Sequence, residues 1–211
     1  MGYYKAIVSD RIVDIFEAAG VNKPDISVLS DRFLIEVKGL KQKNLAFEAL
    51  KKLLNDEIRV TMKKNIVTGK SFMEMLDKTI KRYTNRNIEA AEAIEELIQL
   101  AKKFKEEQEK GKELGLNEAE VAFYDALAEN ESAVEVLGNE MLRDIALELV
   151  GMIRKSVRID WTMRESIQAE LRLKIKKILR RHGYPPDKQK RATELVLQQA
   201  HLVAEDWAEK K

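Results

Sequence analysis

VRIDWTMRESIQAELRLKIKKILRRHGYPPDKQKRATELVLQQAHLVAEDW, residues Val157 to Trp207, decides the fold. It reads as two helices joined by a short turn. Thr162 suits an N-cap, and Glu165 three residues on completes a capping box. Met163, Ile167, Leu171, Ile175 and Ile178 recur at steps of four or three, which places one apolar stripe on one helix face. Arg172, Lys174, Lys176, Lys177, Arg180 and Arg181 fall on the other side. Gly183 supplies the left-handed residue that ends the helix. Tyr184-Pro185-Pro186 forbids its continuation, because proline lacks an N–H and restricts the residue before it. Pro186 suits the first turn of the next helix, which buries Ala192, Val196, Ala200, Val203 and Trp207.

The same periodicity continues upstream. Tyr4 to Ala19 reads as an amphipathic helix closed by Gly20. Pro24-Asp25 marks a loop, and Ser30 or Asp31 caps a short helix through Val37 that Gly39 stops. Asn44 precedes a helix with Phe47, Leu50, Leu54 and Ile58 inward, running as far as Lys64, and Thr68-Gly69 breaks the pattern. Phe72, Leu76, Ile80 and Tyr83 mark another helix. Asn85 or Asn87 starts the next, with Ile94, Leu97, Ala101 and Phe104 inward and a solvated, charged tail from Lys102 to Lys112. Asn117 with Glu120 caps a helix bearing Val121, Tyr124 and Leu127. Leu142, Ile145, Leu149, Ile153 and Val157 mark the last one before the opening stretch. No window alternates as a strand with hairpin turns. The expectation is an all-α, elongated multi-helix bundle of about seven to nine helices. Residues 1–211 are read as a single helical domain, with Gly111 to Leu116 as its clearest internal boundary.

Composition excludes several classes. The net charge is +2, so no global field draws the chain to nucleic acid and local charge must carry any such role. The chain has no cysteine, which removes disulfides and thiolate metal sites and fits a reducing cytoplasm. Its two histidines, His182 and His201, are too few for a histidine-rich metal site. No apolar run approaches the ~20 residues needed to span a bilayer, and no membrane partner is expected. The start has no signal-peptide apolar region, and Ala6 stands where a myristoylation start wants Ser or Thr. A chain that enters a helix at once suggests a piece of a longer one.

Several stretches imitate catalytic motifs. Pro24-Asp25 followed by Glu36-Val37-Lys38 imitates a metal-dependent nuclease, in which two carboxylates hold a divalent ion beside the scissile phosphate. Such carboxylates belong on adjacent strands, and this region reads as a capped helix. Gly69-Lys70-Ser71 imitates the end of a phosphate-binding loop, but Lys64 stands where the first glycine is required, so the plain reading is a helix break. Glu89, Glu92, Glu95 and Glu96, with Glu106, Glu107 and Glu109, lack the Glu-x-x-His pairs of a di-metal bundle and read as a solvated face. His182 suits a helix C-terminus, and His201 a helix surface or a half-buried place. Trp161 and Trp207 read as core or interface anchors. No catalytic residue, metal ligand or cofactor site is assigned.

The basic cluster is the strongest polar signal. Arg172, Lys176, Lys177, Arg180, Arg181, Lys188, Lys190 and Arg191, joined by Lys174 and His182, meet one intruding acid, Asp187, after Glu170. Phosphate contacts need such density. A solvated face and an acidic partner surface are the other readings. These eight residues are the candidates for binding DNA or a partner.

WTMRESIQAELRLKIKKILRRHGYPPDKQKRATELVLQQAHLVAEDWA resembles the C-terminal helical region of the R (restriction, or motor) subunits of type I restriction-modification enzymes. PDISVLSDRFLIEVKGLKQKNLAFEALKKLLNDEI, from Pro24 to Ile58, resembles an earlier piece of the same region. The likeness covers most of the chain and is weakest before Asp14 and around Lys102 to Asn117. It implies a parent protein that is an ATP-dependent, site-specific deoxyribonuclease using ATP and magnesium. That parent carries its nuclease and two motor lobes upstream. This region would then be non-catalytic and cytoplasmic, docking the motor to the modification and specificity subunits, with a possible contact to the DNA backbone. The alternative is a stand-alone helical protein that binds nucleic acid through the basic helix.

Overall fold

The computed structural model describes residues 31–156 and 165–209. The expected helix from Tyr4 to Ala19, the Pro24-Asp25 loop, the Ser30 and Thr162 caps, Val157, Trp161 and Met163 lie outside the described residues. The described residues form eight helices and no strand. They are α1 (Asp31–Gly39), α2 (Lys43–Met62), α3 (Ile66–Thr84), α4 (Ala90–Leu114), α5 (Glu118–Ala128), α6 (Glu131–Ser156), α7 (Glu165–Arg181) and α8 (Gln189–Glu209). The chain divides into two compact units. One holds Met1–Ile58 with Phe72–Gln108, and the other Arg59–Ser71 with Glu109–Lys211.

In the first unit, the stripe expected on α2 is buried: Phe47, Leu50, Leu54 and Ile58. It belongs to one core with Leu34 and Val37 of α1, Phe72 and Leu76 of α3, and Ile94, Leu97, Ala101 and Phe104 of α4. Phe72 and Phe104 meet edge to face, with ring centroids 5.0 Å apart. Polar ties flank this core. The Tyr83 hydroxyl donates to Asn44 Oδ1 at 2.8 Å, and the Thr79 hydroxyl to Glu96 Oε2 at 2.8 Å.

In the second unit, α5 is buried nearly all round, through Ala122, Phe123, Tyr124, Asp125, Ala126 and Leu127. Its start is the expected capping box. The Glu120 amide donates to Asn117 Oδ1 at 3.1 Å, and the Asn117 amide to Glu120 Oε2 at 2.8 Å. Packed with α5 in the same core are Leu142, Ile145, Leu149 and Ile153 of α6, Leu171, Ile175, Ile178 and Leu179 of α7, and Val196, Ala200 and Val203 of α8. Helix α6 leaves helical geometry at Gly138 (φ 72°, ψ 170°), a left-handed φ that glycine adopts without a Cβ penalty.

Three local expectations change. The break assigned to Thr68-Gly69 falls instead between Met62 and Ile66, and Gly69 lies inside α3. Asn65 makes that start, because its Oδ1 accepts the Thr68 amide at 3.1 Å. Gly69 is needed for space: a Cβ there would stand 2.5 Å from Met62 Cα. The charged tail of α4 is not wholly solvated, since Gly111 is buried against Val121 and Lys110 Nζ reaches Asp125 Oδ1 at 2.9 Å. Pro186 precedes α8 as part of a turn, which the Lys188 amide closes by donating to the Pro185 carbonyl at 3.2 Å.

Candidate functional site

The α7–turn–α8 unit holds the basic cluster in a fixed frame. Helix α7 ends in a Schellman motif. The Tyr184 amide donates to the Leu179 carbonyl at 2.9 Å and the Gly183 amide to the Arg180 carbonyl at 3.2 Å, with Gly183 at φ 71°. Tyr184 then turns inward and is buried. Its hydroxyl donates to the Leu127 carbonyl of α5 at 2.8 Å, and its own carbonyl accepts from Gln189 Nε2 at 2.8 Å. Burial pushes the Tyr184 phenol above its usual range, against the opposing pull of the Asn130 amide.

The frame sorts the eight basic candidates into two groups. Arg172 donates through Nε and Nη2 to Glu194 of α8, at 3.0 and 3.3 Å. Arg181 and His182 share Glu148 of α6, the imidazole Nε2 lying 2.8 Å from Oε2. The Arg181 guanidinium beside it holds the Glu148 carboxyl below the usual range, with His182 adding to the effect. Arg191 pairs with Glu129, just past α5. These three arginines tie helices together. Lys176, Lys177, Arg180, Lys188 and Lys190 make no ion pair among the described residues. Lys177, Arg180, Lys188 and Lys190 are exposed, and Lys176 is half-buried. The uncompensated charge therefore sits along the outer face of α7 and at the start of α8. Cations at the end of α7 also complement its helix dipole.

A cleft of about 340 Å³ adjoins this face, lined in part by Glu129, Asn130, Glu131, Tyr184, Lys188 and Arg191. Its two cations are matched by two carboxylates, and one cation is already paired. It offers no net charge to select an ion.

The other candidates fall into structural roles. Glu36 and Lys38 lie in helix α1 with no strand beside them among the described residues, Lys38 pairs with Glu95 at 2.6 Å, and Asp25 lies outside the described residues. Gly69-Lys70-Ser71 lies within α3, so its amides serve the helix. Glu92 and Glu96 hold Arg82, and no group of three or more potential metal ligands occurs among the described residues. Trp207 is half-buried, with the Arg154 guanidinium 4.9 Å over its ring.

Two features had no sequence signal. Asp125 is 5% exposed and accepts from Asn65 Nδ2 at 2.7 Å, Thr68 Oγ1 at 2.8 Å and Lys110 Nζ at 2.9 Å. Gln199 is fully buried. It donates to the Lys64 carbonyl at 2.6 Å and accepts the Ile66 amide at 3.0 Å, serving backbone groups that the break between α2 and α3 leaves open. These partners lie far off in the sequence, at the break between α2 and α3 and on α4, so no local pattern announces them.

Comparison with known proteins bears on the whole chain. Residues 4–206 match the family model described as type I restriction enzyme HindI endonuclease subunit-like, C-terminal. The chain is 38% identical over 202 residues to the type I restriction enzyme HindI endonuclease subunit of Haemophilus influenzae, covering 96% of this chain and 19% of that protein. It is 39% identical over 180 residues to a Methanocaldococcus jannaschii protein provisionally assigned as the type I restriction enzyme MjaIXP endonuclease subunit, covering 85% of this chain and 17% of that one. The chain thus spans under a fifth of the length of either relative. No solved structure matches it.

Proposed function

The chain belongs to the family of C-terminal regions of type I restriction enzyme endonuclease subunits, and from that premise we propose that it docks the motor subunit onto the modification and specificity subunits. One observation carries the proposal. Five cations, Lys176, Lys177 and Arg180 of α7 with Lys188 and Lys190 at the start of α8, make no ion pair among the described residues, whereas the neighbouring arginines do. Charge left open on a fixed frame is suited to an external anion, an acidic subunit face first and the DNA backbone second.

On this reading the region is non-catalytic. Nuclease and ATP-driven translocation, with their magnesium and ATP, belong to other parts of the parent subunit. The helical setting of Glu36, Lys38 and Gly69-Lys70-Ser71 supports that assignment.

The test uses the full-length subunit carrying Lys177→Glu with Arg180→Glu. Assembly with the modification and specificity subunits is measured beside duplex binding across a salt series. Docking predicts lost or slowed assembly. A backbone contact predicts weaker duplex binding and a shallower salt slope. If both activities survive the reversal, the cluster is a solvated face and the proposal fails.

A further inference from the structure

The outward face of α7 carries an apolar residue among its open cations. Leu173 is 68% exposed. Lys177 stands one turn on, Arg180 follows on the same stripe, and Lys176 flanks them. The buried stripe of the same helix is Leu171, Ile175, Ile178 and Leu179, so Leu173 does not serve this core. Arg172 and Arg181 are turned to Glu194 and Glu148, so Leu173 is bordered on one side by the unpaired Lys176 and Lys177 and on the other by Glu170, which Lys174 neutralises at 2.7 Å.

Phosphates would answer the cations and leave the leucine unused. A DNA backbone is charged and strongly hydrated, and contact with it gains little from an aliphatic side chain. A protein surface answers both. An apolar patch over Leu173 would exclude water, and carboxylates around it would meet Lys176, Lys177 and Arg180. We infer that the Leu173–Lys177–Arg180 stripe binds an acidic protein surface centred on an apolar side chain, and that it is a protein contact rather than a nucleic-acid one. The inference rests on the docking reading and specifies which occupant this part of the face takes. Helix α6 itself exposes Glu140 and Leu147 beside Asp144, which Arg143 partly neutralises at 3.8 Å, so a second copy of the chain is the occupant to be tested against.

The experiment compares full-length subunits carrying Leu173→Ser or the Lys177→Glu/Arg180→Glu pair with the unaltered protein. The probes are the purified modification–specificity complex and a DNA duplex, and subunit mass is followed by sedimentation. Leu173 is exposed, so the serine variant should keep the parent melting temperature. The expected result is assembly weakened by about tenfold or more in Leu173→Ser, with duplex affinity unchanged. The charge pair should slow association, most at low salt. Loss of duplex binding in Leu173→Ser overturns the inference. So does a subunit dimer that this variant dissolves, because the occupant is then a second copy. If only the charge pair impairs assembly, docking stands and the role of Leu173 falls. If neither variant does, both readings fall together.

Discussion

The Arg172 guanidinium donates to both carboxylate oxygens of Glu194, at 3.0 and 3.3 Å, and so joins α7 to α8. Sequence places Arg172 with the docking cations, yet its side chain is engaged within the fold. Arg172→Ala should leave subunit assembly and the duplex salt slope unchanged. Because the pair is well over a third exposed, the cost in stability should stay within about 1 kcal/mol. A loss of assembly equal to that of the Lys177→Glu/Arg180→Glu pair would return Arg172 to the docking surface.

Gly69 offers a test with opposing effects. In an open helix, Gly→Ala gains roughly 1 kcal/mol from propensity. Here the added Cβ would lie 2.5 Å from Met62 Cα and 2.7 Å from its Cβ, so backbone must move. Such overpacking costs about 1–3 kcal/mol and should win. Gly69→Ala is therefore expected to lower the denaturant midpoint. A raised midpoint would mean that the start of α3 does not press on the end of α2.

Asp125 gathers three donors in a nearly dry site. Asp125→Ala leaves the Asn65 amide and the Thr68 hydroxyl without their acceptor, while Lys110 loses its carboxylate. The expected destabilisation is about 3 kcal/mol, since each buried polar group left unpaired costs about 1–3 kcal/mol. Equilibrium unfolding measures it. A change within about 0.5 kcal/mol, typical of an open surface, would contradict the network.

Glu148 sets a pH dependence. Arg181, and after it His182, lower the carboxyl's folded-state pKa below its unfolded value. The stability it adds is fully present above the unfolded value, about 4.3, and is lost as pH falls through the lower folded value. Glu148→Gln should thus be less stable than the parent at neutral pH, and the gap should close in acid. Thermal melts of both proteins from neutral pH to about 3 measure the gap. A gap that widens in acid would reverse the assigned shift.

Helix existence was legible wherever the apolar period was strong. Leu171, Ile175 and Ile178 announced the inner face of α7, and Phe47, Leu50, Leu54 and Ile58 that of α2. Local chemistry also fixed two ends, the Asn117–Glu120 box and the Gly183 cap, because each is complete within a few residues. The family too was legible, since long strings of sequence carry it.

Tertiary structure alone decided the roles of individual polar and small residues. The sequence marks Arg172, Lys177, Arg181 and Arg191 alike as basic. Only the approach of Glu194 and Glu148 from other helices, and of Glu129 from the end of α5, separates the paired arginines from the open lysine. Gly69 read as a breaker because propensity is local, while the nearness of Met62 depends on how two helices cross. Asp125 and Gln199 looked like ordinary helix residues until partners distant in sequence came to surround them. Periodicity reports which side of a helix avoids water. What meets a given side chain there is set by packing between helices, which one helix's own sequence does not encode.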